Sequence, residues 1–236
     1  MSAYEGLRAE RILETLQRLG ERIGERFPDS GLSKVCAQVL ETGRQTSQSA
    51  ARLAQPNWLW RAVVTLVLGG GLAAQVYAAR LIHVEGFAAS GPELVQGLEA
   101  AVNLLILFGG AVWFLITLEE RYKRQRALDG LHRLRSLAHV VDMHQLTKDP
   151  TILLSPYPRT KASPQRAMTR FELTRYLDYS AEMLALIGKL AALYGEGVRD
   201  ATVIDAVNDV ENLTANLGRK IWQKITIISA LEEPGA

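Results

Sequence analysis

The chain carries one cysteine, Cys36, and four histidines among 236 residues. A lone thiol excludes an internal disulfide framework and any zinc site that needs two thiolates. So few histidines argue against a polyhistidine metal store. Excess charge of one sign is lacking too, since 27 Lys and Arg face 25 Asp and Glu for a net +2. The chain is therefore neither a basic nucleic-acid binder nor an acidic tail protein, and aromatic residues are not interleaved with its cations. No GxSxG, HExxH or CxxC motif occurs. A Gly-rich phosphate loop would have to follow a strand, and no period-two strand pattern persists anywhere. No enzyme activity and no cofactor are expected.

What is present is a sharp split in polarity. Residues 1–57 and 119–236 are densely charged, and two windows between them are nearly free of charge. Ala62–Ala79 gives 18 uncharged residues between Arg61 and Arg80, and Ala100–Leu118 gives 19 between Glu99 and Glu119. At about 1.5 Å per helical residue each run reaches roughly 27–29 Å, the hydrocarbon thickness of a bilayer. A pair of core helices in a soluble bundle would keep more polar residues than Thr65, Gln75, Asn103 and Thr117. Trp58 and Trp60 stand before the first run, where indoles favour the headgroup layer. The runs read as membrane spans. Neither is a signal peptide, because the 57 residues before the first are polar and amphipathic.

Orientation follows from the cations beside the spans. Stretch 80–99 has Arg80 as its only Lys or Arg, whereas Arg121, Lys123, Arg124 and Arg126 follow the second span directly. Both termini are expected in the cytoplasm, with the hairpin in the cell (inner) membrane and Cys36 in a reducing compartment. The four cations at the membrane face suit anionic headgroups, each worth on the order of 1 kcal/mol there.

The expected class is all-α: a two-span transmembrane helical hairpin with cytoplasmic helical-bundle or coiled-coil-like arms. Residues 1–57 form an N-terminal arm of two helices. The first runs over about Glu5–Arg26, with a stripe of Leu7, Leu13, Leu16, Ile23 and Phe27. Pro28–Gly31 breaks it, and Asp29 or Ser30 caps a second helix from Leu32 to about Ala54, with Leu32, Val35, Cys36, Val39 and Leu40 at core spacing. Residues 58–119 are the hairpin, with spans over about 58–81 and 99–118 and an outer loop over 82–98. Residues 120–236 are the cytoplasmic domain. One helix is expected from about Glu93 to Lys148, carrying Leu128, Leu131, Leu134, Leu137, Ala138 and Val141. Pro150, Pro156, Pro158 and Pro164 make 150–168 a linker. Thr169 and Glu172 form a capping box for a helix that Gly195 and Gly197 stop. Asp200 caps a last helix whose Val203, Val207, Val210, Leu217, Ile221, Ile225 and Ile228 step by threes and fours, a seam that asks for a partner in this chain or another.

Three constellations are candidate sites. His132, Arg135, His139 and Asp142 share one side of a helix. His139 and Asp142 can share a metal with Glu172, Asp178 or Glu182, but no Glu-x-x-His unit repeats, which favours a polar network with Asp142 paired to Arg135 or His139. The i,i+4 carboxylates Asp178/Glu182 and Asp205/Asp209 read as solvated faces. Within the spans, Gly70, Ala74 and Ala78 form a small-residue ridge, and Asn103, Gly110 and Thr117 repeat every seven residues. Both suit close helix packing, and the second also suits a pore lining. The expected partners are the lipid bilayer, further copies of the chain and a cytoplasmic protein, with no nucleic acid. The reading is a membrane-anchored helical module for assembly or partner binding. Its alternatives are a small homo-oligomeric channel and, third, a metal-dependent enzyme at His139 and Asp142.

Overall fold

The structure is a computed structural model that describes residues 6–55, 58–84, 91–148, 150, 161 and 168–230. Among the described residues six α-helices follow one another: α1 (Ala9–Arg26), α2 (Gly31–Ala54), α3 (Trp58–Val84), α4 (Gly91–Leu146), α5 (Arg170–Gly197) and α6 (Ala201–Ala230). No strand occurs among the described residues. Of the expected outer loop over 82–98, residues 82–84 instead continue α3 and 91–98 open α4, while 85–90, like almost all of the Pro-rich linker, lie outside the described residues. The chain divides into two compact units, Met1–Ala54 with Arg126–Ala236, and Gln55–Gln125.

The first unit is built around α5. Its sequence is apolar on nearly every side, and Leu177, Met183, Leu184, Ile187, Leu190 and Tyr194 are all fully buried. Such a helix must be wrapped by others. α1 presents Ile12, Leu16, Leu19 and Ile23, spaced four, three and four. That buried stripe corrects the expected one, for Leu7 and Leu13 are only half-buried while Ile12 and Leu19 carry the contact. α2 continues its face past Val39 with Gly43, Thr46, Ala50 and Leu53. Its Ser/Ala-rich half is thus core, because small side chains let the helix approach closely. A Cβ on Gly43 would sit 3.1 Å from both Leu13 and Leu190. In α6 every residue of the expected seam is buried, with Thr214 filling its one gap.

Helix ends are set by local chemistry. Ser30 Oγ accepts from Ser33 N at 3.2 Å and so caps α2, while Asp29 takes the left-handed turn at φ 55. Asp200 Oδ1 accepts from Val203 N at 3.2 Å and caps α6. The capping box of α5 is complete: Thr169 Oγ1 accepts from Glu172 N at 3.2 Å, and Glu172 Oε2 accepts from Thr169 N at 2.7 Å. α5 runs through Gly195 and ends at Gly197. A Cβ on Gly197 would lie 3.0 Å from the Ala50 carbonyl oxygen, so this glycine lets α5 end against the α2 backbone.

Gly130 of α4 receives Tyr194 so closely that a Cβ there would overlap the phenol oxygen. That oxygen is buried and has no hydrogen-bond partner among the described residues. Gly130→Ala should therefore cost about 1–3 kcal/mol through overpacking, read from denaturant unfolding. Tyr194→Phe should leave stability unchanged or raise it, because it removes only a buried, unpaired hydroxyl. A loss in Tyr194→Phe as large as in Gly130→Ala would contradict this packing.

The Glu172 carboxyl is held below its ordinary value of 4.5, first by the Thr169 backbone N–H and then by its hydroxyl. A carboxyl depressed in the folded state stabilises above its unfolded pKa and loses that contribution as pH falls through the folded one. Glu172→Ala should accordingly be less stable than wild type at pH 7, and the gap should close below the ordinary carboxylate range. A gap independent of pH would exclude the charge as its source.

Candidate functional site

The second unit holds the most unusual surface of the chain. α3 and α4 are long and apolar enough to cross a membrane, and no part of their most apolar 18-residue windows is buried. Leu66 is 76% exposed, Leu107 78% and Trp113 67%. Among the described residues, α4 touches α3 and Gln55 just ahead of it. Trp60 Nε1 donates to Leu115 O at 2.9 Å, Lys123 Nζ donates to Gln55 O at 3.3 Å, and Gly71 lies against the Phe108 ring, where a Cβ would overlap it. The pairings step in opposite directions along the two helices.

The polar residues of the spans divide by how they are satisfied. Thr65 and Thr117 turn their hydroxyls back onto the carbonyls of Arg61 (2.8 Å) and Phe114 (2.9 Å). Asn103 is exposed and makes no hydrogen bond among the described residues. Gly110 and Gly70 are exposed with open space where a Cβ would be, and Ala74 is exposed beside them. The close approach between α3 and α4 therefore uses Gly71, one position from the expected ridge. A ridge of small residues marks close packing without telling which neighbouring glycine makes it. The Ala78 side chain lies outside the described residues.

Of the cations after the second span, Arg121 and Arg126 are exposed and Arg124 is half-buried. Lys123 is tied to its own unit, pairing with Glu119 Oε1 at 2.9 Å besides the Gln55 carbonyl. Arg61, Trp60, Val64, Thr65 and Glu119 line a cavity of about 340 Å³.

The His/Asp string does not converge. His132, Arg135 and His139 are exposed, and Asp142 is half-buried. The expected pairing of Asp142 with Arg135 or His139 is replaced by one with Gln145, whose Nε2 donates to Asp142 Oδ1 at 2.5 Å. Gln145 is buried, and Lys224 Nζ donates to its Oε1 at 2.6 Å and its carbonyl at 3.1 Å. Lys224 thus puts a cation on the last turn of α4, where orphan carbonyls and the helix dipole favour it. Nothing in the sequence pointed to a pair 79 residues apart. The carboxylates expected beside His139 are engaged elsewhere: Glu172 in its capping box, Asp178 with Arg175 at 3.0 Å, Glu182 with Arg22 at 2.5 Å. Among the described residues no three of His, Cys, Asp or Glu gather as metal ligands.

Burial also holds two nucleophiles neutral. Desolvation raises the Cys36 thiol to about 11, with Glu182 adding to the shift, and raises the Tyr176 phenol. A groove of about 670 Å³ between α5 and α6 has a floor of Ala181, Ala185, Ala215 and Gly218, with the exposed Trp222 at its edge. Set against known protein families, curated proteins and solved structures, the chain matches none.

Cys36 lies 1% exposed in the core, so it reports on opening of the first unit. A thiol reagent should modify it only in step with unfolding, the rate rising with denaturant as the open population does. Rapid modification of the native chain would place Cys36 at the surface instead.

Proposed function

We propose that this chain is an integral protein of the cytoplasmic membrane whose helical unit serves assembly. α3 and α4 form an antiparallel two-span hairpin, and the unit of α1, α2, α5, α6 and residues 126–146 lies on the cytoplasmic side. The observation that carries the reading is the wholly unburied apolar window in each of α3 and α4. In water such a surface would aggregate, and in lipid it is at equilibrium. The opposed order of the Trp60–Leu115, Gly71–Phe108 and Gln55–Lys123 contacts supports the hairpin. Cations crowd the Arg121–Arg126 end, which supports the orientation.

Assembly rests on Asn103. An amide at the outside of an apolar span gains by pairing with its counterpart in a second copy, and the open faces of Gly110, Gly70 and Ala74 let backbones approach. The buried seam of α6 offers no such contact, because α5 already fills it. The groove beside Trp222 is a surface a cytoplasmic partner can use. Within the same oligomer, Asn103, Gly110 and Thr117 facing a common axis would give the pore reading.

The chain should stay with membranes through carbonate and high-salt washes. A cysteine at Ser90, in a background where Cys36 is Ser, should react with an impermeant reagent from outside the cell. Native mass in mild detergent should show an oligomer that Asn103→Leu weakens by about 0.6–2 kcal/mol, and that Gly70→Leu weakens as well. Release by carbonate would remove the membrane reading. A particle monomeric in detergent and in nanodiscs would remove assembly and the pore together, since two spans enclose no water path. Conductance of the reconstituted oligomer separates pore from scaffold.

A further inference from the structure

The cavity at the cytoplasmic end of the hairpin has a composition that solvation of a helix face does not require. Arg61 is exposed, with no ion pair or side-chain hydrogen bond among the described residues. Glu119, on the other helix, is half-buried and gives Oε1 to Lys123 at 2.9 Å. Its second oxygen has no partner among the described residues. The Trp60 ring and Val64 line the same cavity as these opposite charges, and the indole N–H is already spent on Leu115 O. Thr65 has likewise given its proton to Arg61 O, so its oxygen is left as an acceptor. The cavity thus presents one fork-shaped cation, one carboxylate and an apolar wall, in about 340 Å³. Arg61 and Glu119 are also the residues at which the charge-free runs begin and end.

A ligand for this set carries an anion of phosphate shape, a cation that donates hydrogen bonds, and an apolar body. Guanidinium binds phosphate through two parallel hydrogen bonds, and a primary ammonium gives a carboxylate charge-assisted ones. We infer that the cavity holds the headgroup of a membrane phospholipid bearing a primary amine, with phosphate on Arg61, ammonium on Glu119 and acyl chains running along α3 past Val64. This inference rests on the proposed membrane placement, which sets Arg61 and Glu119 at headgroup depth. A glycerol headgroup leaves Glu119 facing a net negative lipid. A choline headgroup has no N–H for the carboxylate. Soluble phosphoethanolamine shares the polar chemistry but lacks the chains that the Trp60–Val64 wall would cover.

The test uses the full chain purified in mild detergent, after its carbonate resistance has been scored separately. Carbonate release defeats the membrane placement, whereas a resistant protein without headgroup preference defeats only this site. The protein is mixed with equal amounts of phosphatidylethanolamine, phosphatidylcholine and phosphatidylglycerol, and retained lipids are counted by native mass. Wild type should keep one phosphatidylethanolamine per chain in preference to the others. Arg61→Ala should weaken retention about tenfold, the scale of a charge-assisted pair. Glu119→Gln should keep phosphate binding and lose the preference for the amine. Val64→Trp, which fills the cavity without changing charge, should block retention while the oligomer and the unfolding curve stay as in wild type. Equal retention of the three lipids by wild type, or unaltered retention in Arg61→Ala and Val64→Trp, would overturn the inference. Glycerophosphoethanolamine competing as strongly as the lipid would overturn the lipid as its source.

Discussion

The apolar windows of α3 and α4 form a surface that the folding of the chain does not cover, and the rest of the molecule has to be reconciled with that. Removing a large aliphatic side chain from water is worth about 1.5–3 kcal/mol. Leu16, Leu134 and Leu184 collect this inside the first unit, where they are fully buried. Leu66, Leu107 and Trp113 do not collect it from any protein neighbour. The helical backbone of α3 and α4 satisfies itself, as lipid demands, and Thr65 and Thr117 turn their hydroxyls onto their own helices. Among the described residues, Asn103 and Gln75 are polar side chains of these helices that make no hydrogen bond.

The first unit has the opposite economy. α5 is covered by its neighbours, and the acidic residues that a catalytic reading would recruit are engaged in caps and ion pairs. Burial raises the Cys36 thiol and the Tyr176 phenol above their ordinary values, as fits side chains packed in the core. Exposed ion pairs such as Arg11–Glu14 add little stability, so hydrophobic packing around α5 carries the unit.

Helices and their caps were legible in the sequence because their causes are local. The three-four spacing of Val203 to Ile228, the Thr169–Glu172 box and the Asp200 cap each act within a few residues. Pairings were not legible, because they depend on shape at a distance. The α6 seam has one form whether α5 or a second subunit covers it. Gly130 carries no mark that Tyr194 will lie on it, nor Gln145 that Lys224 will reach it. In α1 the stripe was misplaced onto Leu7 and Leu13 because Ile12 and Leu19 lie one helical step around, and only the position of α5 chooses between the two faces. The His/Asp string failed as a site for a related reason. Spacing put His139 and Asp142 on one side of α4, but helix packing left His139 in solvent and gave Asp142 to Gln145.

The central claim, that lipid covers the surface of α3 and α4, is tested most directly by tryptophan fluorescence in bilayers with brominated acyl chains. Trp113 lies in the apolar stretch of α4 and Trp222 on α6, and both are exposed. In variants that keep one tryptophan each, Trp113 should be strongly quenched by bromine within the hydrocarbon, and Trp222 should keep the intensity it has in unbrominated lipid. Equal intensities for Trp113 in the two lipids would contradict the account.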